Sequence, residues 1–187
     1  MSRQISIQTP LTDEIVRGLR AGDEVLIGGP VFTARDQAHK RLCECLAQGK
    51  PLPVELAGAL IYFVGPTPAA SGKVIGAAGP TTSSRMDAFT PLLLSHGLKG
   101  TIGKGCRSQC VREALIKYNG VHFSALGGGG AILSKHIVGS RLLAYEDLGT
   151  EAIRQLEFYQ FPAVVAYDSY GDSVYRESKI LKAGDIL

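Results

Sequence analysis

Glu24-Val25-Leu26-Ile27-Gly28-Gly29-Pro30-Val31-Phe32-Thr33-Ala34-Arg35-Asp36 is the stretch on which the fold turns. An apolar run meets two glycines and a proline, and a polar Arg-Asp pair soon follows. Beyond it Ala38, Leu42, Cys45 and Leu46 recur at helical spacing. The unit reads as a strand at residues 24–27, a glycine turn, a lead-in over 31–34, and a helix over 35–48. A strand that delivers a helix through a tight turn is the building block of an α/β protein.

The same alternation extends in both directions. Upstream, residues 5–8 read as a short strand and residues 13–19 as a helix with Thr12 as its N-cap. Downstream, strands are predicted at 60–64, 73–78, 100–102, 121–125, 141–145 and 161–167. Helices are predicted at 85–96, with a break at Pro91, and at 108–118, 131–137 and 150–159. The expected fold class is α/β with a mixed, largely parallel sheet, and residues 1–187 read as one domain. In such sheets ligands collect beyond the carboxyl ends of the strands.

Composition narrows the function. The net charge of +3 is too mild, and the Lys and Arg residues too scattered, for a nucleic-acid surface, while a small anion suits it. No run approaches the roughly 18 apolar residues of a membrane helix. The start MSRQISIQTP lacks a signal peptide's apolar core, so the expectation is a cytoplasmic protein. Cys43 and Cys45 point to different faces of a helix. Cys106 and Cys110 would share one face, but two thiols fill neither a zinc site nor a cluster site. The four cysteines read as reduced structural thiols or, for the second pair, a redox-sensitive couple.

Three polar clusters follow strands. Arg35 stands at a helix start, where the dipole disfavours a cation unless an anion lies nearby; pairing with Asp36 or another acid is the plain alternative. Gly79-Pro80-Thr81-Thr82-Ser83-Ser84-Arg85-Met86-Asp87 places four hydroxyls and an arginine at a helix entrance. These form a cup for a carboxylate or phosphate, or in part a cap pairing Ser84 with Asp87. It is not a P-loop, since Gly72-Lys73 is followed by Val74. Gly103-Lys104-Gly105 sets a lysine between glycines at a strand end, for close approach to a ligand or as a plain turn. His39, His96, His122 and His136 are scattered and read as structural or surface residues. Residues 127–130, four glycines, read as a mobile loop, and Asp168 and Asp172 as servants of a glycine turn. No general base, complete metal site or nucleotide motif emerges.

The order of motifs carries a resemblance. Gly22-Asp23-Glu24, Thr33-Ala34-Arg35-Asp36, Ala38-His39-Lys40, Tyr62-Phe63-Val64-Gly65-Pro66, the 79–87 stretch, Ile102-Gly103-Lys104-Gly105, Leu148-Gly149-Thr150-Glu151-Ala152-Ile153, Phe161-Pro162 and Asp168 span nearly the whole chain. The series resembles the C-terminal half of class I (iron–sulfur) fumarate hydratases and the β subunit of L-tartrate dehydratase. The resemblance implies a swivelling β/β/α domain. It implies a partner α subunit whose three cysteines hold a [4Fe-4S] cluster, an active site between the halves, and a dimer of αβ pairs. It implies reversible hydration of fumarate to L-malate in the tricarboxylic acid cycle, or alternatively dehydration of L-tartrate to oxaloacetate. Arg35, Arg85 and Lys104 would bind the substrate carboxylates. Thr81 would be the base at the carbon that loses its proton, or a group that orients the substrate. A free-standing dicarboxylate-binding domain is the non-enzymatic alternative.

Overall fold

The computed structural model describes residues 4–175. Seven strands, β1 (Gln4–Gln8), β2 (Glu24–Thr33), β3 (Leu60–Tyr62), β4 (Gly100–Gly103), β5 (Val121–Ser124), β6 (Ile137–Ala144) and β7 (Ile153–Tyr167), form one mixed sheet. β1 to β5 pair in parallel, in order. β7 runs antiparallel to β2, β5 and β6. Because β7 bonds to both β2 and β5, strands β2-β3-β4-β5-β7 close a ring, with β1 and β6 attached outside it.

Alternation along the strands divides the core in two. Leu60 and Tyr62 join Ile27, Val31, Ile102, Phe123, Leu156, Phe161 and Val165 in one cluster. Ile61 and Phe63 face the other way, against Ala38 and Leu42 of α2 (Asp36–Ala47), Leu93 and Leu94 of α3 (Thr90–Ser95), and Val111 and Leu115 of α4 (Gln109–Lys117). Burying each such large side chain contributes about 1.5–3 kcal/mol, so both faces of β3 hold the helices and the ring to one frame. Thr12 caps α1 (Asp13–Gly18) as expected, accepting a bond from Ile15 N–H at 3.2 Å.

Four expectations from the sequence are corrected. The predicted strand at 24–27 does not end at the glycines. β2 continues to Thr33 through a bulge opposite β7, and Thr9 Oγ1 donates to the Gly28 and Pro30 carbonyls. Gly29 is required there, because its φ is +92° and a Cβ would sit 2.7 Å from Thr9 Oγ1. Residues 150–159 are not a helix. A 3₁₀ segment (Glu146–Glu151) gives way to β7, whose buried Leu156 and Phe158 obey the strand period, while the Ile153–Leu156 spacing of three imitates a helix. Residues 73–78 form no strand. Residues 85–96 split into a 3₁₀ turn (Ser83–Met86) and α3, with Pro91 near the start of α3 where its missing N–H is harmless. No helix among the described residues is long and apolar enough to cross a membrane.

Candidate functional site

The carboxyl ends of β2, β3 and β4 are neighbours, and each delivers part of one polar surface. Arg35 follows β2 as the N-cap of α2. Its guanidinium lies over Gly65, just beyond β3, where a Cβ would come within 2.7 Å of Nη1. Any larger residue at 65 would push the arginine away. Arg35 is only part-exposed and lies 3.6 Å from Glu151 Oε1 and 3.8 Å from Asp36 Oδ2. Its buried Nε has no hydrogen-bond partner among the described residues. A buried donor without an acceptor is costly, and the Asp36 Oδ2 that faces it at 3.8 Å is likewise buried without a hydrogen-bond partner among the described residues.

The alternative expected for Arg35, pairing with Asp36 or another acid, is therefore seen as ion-pair contacts to Asp36 and Glu151. Arg35 does not cap α2 through its own side chain. Glu151 supplies that cap from the end of the 3₁₀ segment before β7, accepting from Gln37 N–H at 2.9 Å. A carboxylate at the positive end of α2 suits the helix dipole.

Asp36 holds the second arginine. Arg85 Nε donates to Asp36 Oδ1 at 2.9 Å, and its Nη2 lies 2.8 Å from Oδ2 as an ion-pair contact without hydrogen-bond geometry. Half of the Arg85 side chain remains in solvent. Asp36 thus stands between Arg35 and Arg85, in ion-pair contact with both and hydrogen-bonded to Arg85. The sequence presents Asp36 only as a neighbour of Arg35, since nothing local signals a partner 49 residues away.

Thr81 and Lys104 are joined by backbone. Thr81 N–H donates to Phe63 O at 2.7 Å, Lys104 N–H to Thr81 O at 3.2 Å, and Ser83 N–H to Lys104 O at 2.8 Å. A parallel bridge between Thr82 and Lys104 results. Lys104 is exposed, with no salt bridge among the described residues, and the half-buried Thr81 hydroxyl has no hydrogen-bond partner among them. The lysine stem passes 3.7 Å from where a Gly127 Cβ would stand. The glycine run at 127–130 is tied down at its end. Ala78 N–H donates to Gly130 O at 3.0 Å, and a Cβ on Gly130 would meet Gly79 N at 2.9 Å. A side chain there would drive apart the two backbones that lead into Thr81.

The four hydroxyls do not form one cup. Thr82 and Ser84 are exposed, but Ser83 is fully buried and its Oγ lies 3.2 Å from His122 Nε2. Nor does Asp87 cap the turn with Ser84. Its carboxylate accepts from Arg107 Nε at 2.7 Å and from Ser108 N–H at 2.7 Å. Arg107 and His122, with Thr90 and Thr101, form a buried network beneath the site that sequence reading missed. Arg107 sits in a glycine-flanked turn, where solvent is the default surrounding for a cation. Burial pushes the Arg107 guanidinium down in pKa, opposed by Asp87, and holds His122 neutral. Burial likewise lowers His39 to about 4, against the opposing bond from its Nδ1 to Arg35 O at 2.9 Å.

The cysteines are free thiols. Cys106 precedes α4 and does not share its face with Cys110, whose Sγ rests 3.1 Å from Ser108 Oγ. Burial raises Cys43 to about 11. Asp168 does serve the 171 turn, accepting from Ala21, Tyr170 and Asp172 N–H. Among the described residues no three His, Cys, Asp or Glu side chains gather as a metal site.

Comparison with known proteins matches residues 1–178 to the family model described as fumarase C-terminus. The chain is 36% identical over 159 residues to fumarate hydratase 2 of Leishmania major, covering 84% of this chain and 28% of that protein. It is 37% identical over 154 residues to the anaerobic class I fumarate hydratase of Escherichia coli K12, again 28% of the relative's length against 80% of this chain. The chain therefore spans a little over a quarter of those enzymes. A putative L(+)-tartrate dehydratase subunit beta of Methanocaldococcus jannaschii is 34% identical over 173 residues and is covered, as is this chain, to 89%.

Proposed function

The chain belongs to the fumarase C-terminus family, and on that premise we propose that it is the β subunit of a class I fumarate hydratase, active with a partner subunit. One observation carries the reading. Among the described residues the Thr81 hydroxyl and the Lys104 ammonium have no partner, and the backbones of these two residues are bonded side by side at the sheet's carboxyl edge, which they share with the Arg35–Asp36–Arg85 group. The reaction is the reversible addition of water to fumarate, giving L-malate. The domain is of the swivelling β/β/α kind, spans residues 1–187, and works from the cytoplasm in a dimer of αβ pairs.

The [4Fe-4S] cluster of such enzymes finds no fitting ligand set in the described residues, so the partner is assigned its cysteines, and no step on this chain passes through it. This chain's share is the carboxylates and one proton. Arg35, Arg85 and Lys104 bind the two carboxylates of the substrate. In the malate-to-fumarate direction the Thr81 oxygen takes a proton from the carbon beside one carboxylate, and negative charge builds on that carboxylate. Preorganised cationic donors at that position lower the barrier by about 3 kcal/mol each in a site closed to water. An alcohol is a weak base, so Lys104, held across the bridge, also favours the deprotonated oxygen.

The tartrate dehydratase reading is supported by the archaeal beta subunit, which is 34% identical to this chain over 173 residues. The test is to purify the tagged chain with its partner without oxygen and compare rates on fumarate and L-tartrate. Faster turnover of fumarate is expected. Turnover of L-tartrate alone moves the assignment to the tartrate enzyme.

A further inference from the structure

We propose that Arg107 is a positioning residue that locks the Lys104 loop and the Arg85 turn into a single register, so that the two cations act as one unit. The role in catalysis rests on the dicarboxylate reading above, but the clamp itself does not.

Arg85 lies in the turn at 83–86, and Lys104 and Arg107 lie in the loop that leaves β4. The Arg107 side chain is wholly buried between these segments and spends its donors in three directions. Nε donates to Asp87 Oδ1 at 2.7 Å, immediately after the Arg85 turn. Nη2 donates to Thr90 Oγ1 at 2.6 Å, and Thr90 Oγ1 donates in turn to Met86 O at 2.8 Å, the last residue of that turn. Nη1 lies 3.3 Å from both Thr101 Oγ1 on β4 and His122 Nδ1 on β5.

The histidine then carries the network to the front of the same turn. An arginine has only donors, so His122 Nδ1 is an acceptor, and its proton is on Nε2, donated to Ser83 Oγ at 3.2 Å. Ser83 opens the Arg85 turn and bonds through its N–H to Lys104 O. The turn is thus gripped at both ends by groups that meet at one guanidinium, and that guanidinium is three residues from Lys104. Asp87 closes the loop a second time by accepting from Ser108 N–H at 2.7 Å. A planar fork suits such a clamp, and a lysine ammonium cannot reach the three directions together.

The test uses Arg107→Lys, which keeps the charge and leaves Asp87 paired. Hydrogen exchange of the native chain is read for peptides spanning 81–87 and 103–108, with 13–18 as reference. Both peptides are expected to exchange about tenfold faster, together, with the reference unchanged. Change in one peptide alone, or in neither, overturns the clamp. In the αβ complex, R107K is expected to lower kcat/KM about 10²-fold through misplacement of the cations. That penalty is expected to shrink to within about tenfold in an R85A background, because the two act through one interaction. Fully multiplicative losses overturn the positioning role. A wild-type complex inert on fumarate and L-tartrate would overturn the functional reading instead, and the exchange measurement would still decide the clamp.

Discussion

Two arginine–aspartate pairs stand back to back in this molecule, alike in chemistry and opposite in surroundings. Arg85 and Asp36 meet at 2.9 Å with half of the arginine in solvent, whereas Arg107 and Asp87 meet at 2.7 Å with the arginine fully enclosed. In water a paired guanidinium can exchange one carboxylate for another at small cost, so the outer pair is suited to greeting a ligand. Inside the protein an unpaired charge is so unfavourable that the inner pair is held to one arrangement. The difference teaches where each cation belongs: the outer one in binding, the inner one in holding the binding residues.

The sharpest way to break that contrast is to remove each pair in turn. Arg107→Met is expected to cost about 3–5 kcal/mol in urea denaturation, because Asp87 is left buried without its cation. A cost near zero would mean the inner pair is not holding anything. Acid gives the next largest effect. His39 is buried neutral at about 4 and titrates near 6.5 when unfolded, so the unfolded chain binds the extra proton first. Its contribution is complete above pH 6.5 and is lost as pH falls toward 4. Between pH 7.5 and 5.5 its loss is about 1.4 kcal/mol, and His39→Gln should lessen the slope of denaturation curves taken at the two pH values by that amount, with buried His122 supplying a remaining slope of the same sign. Asp36→Asn, which breaks the outer pair, should change stability by less than about 1 kcal/mol. The smallest effect is expected from Cys106→Ser with Cys110→Ser, which should leave the iron content of the αβ complex unchanged. Loss of iron would place a cluster ligand on this chain.

Part of the outer surface was legible from the sequence, because Arg35 comes just after β2 and Lys104 just after β4, and the α/β alternation puts those ends at one edge. Thr81 and Arg85 follow residues 73–78, which form no strand, and reach that edge through the bond from Thr81 N–H to Phe63 O. The partners were not legible. Asp36 reaches Arg85 across 49 residues, Glu151 reaches α2 from the 3₁₀ segment before β7, and His122 looks like any strand histidine. The fold shows the same split. The parallel strands announce themselves by apolar runs, as does the second half of β7 at 161–167, but its first half hides behind an Ile153–Leu156 spacing that suits either period. Only pairing with β2 and β6 decides that this half is strand. Likewise, Gly28-Gly29-Pro30 looks like an ending, and only Thr9 and β7 reveal it as a bulge.

The central claim is that Arg85, with Arg35, Thr81 and Lys104, holds the dicarboxylate. Its most direct test is the kcat/KM of the αβ complex carrying Arg85→Ala, measured on fumarate without oxygen. A drop of about 10²-fold or more is predicted, the scale of losing ~3 kcal/mol of transition-state binding. Activity within a few fold of wild type would contradict the account.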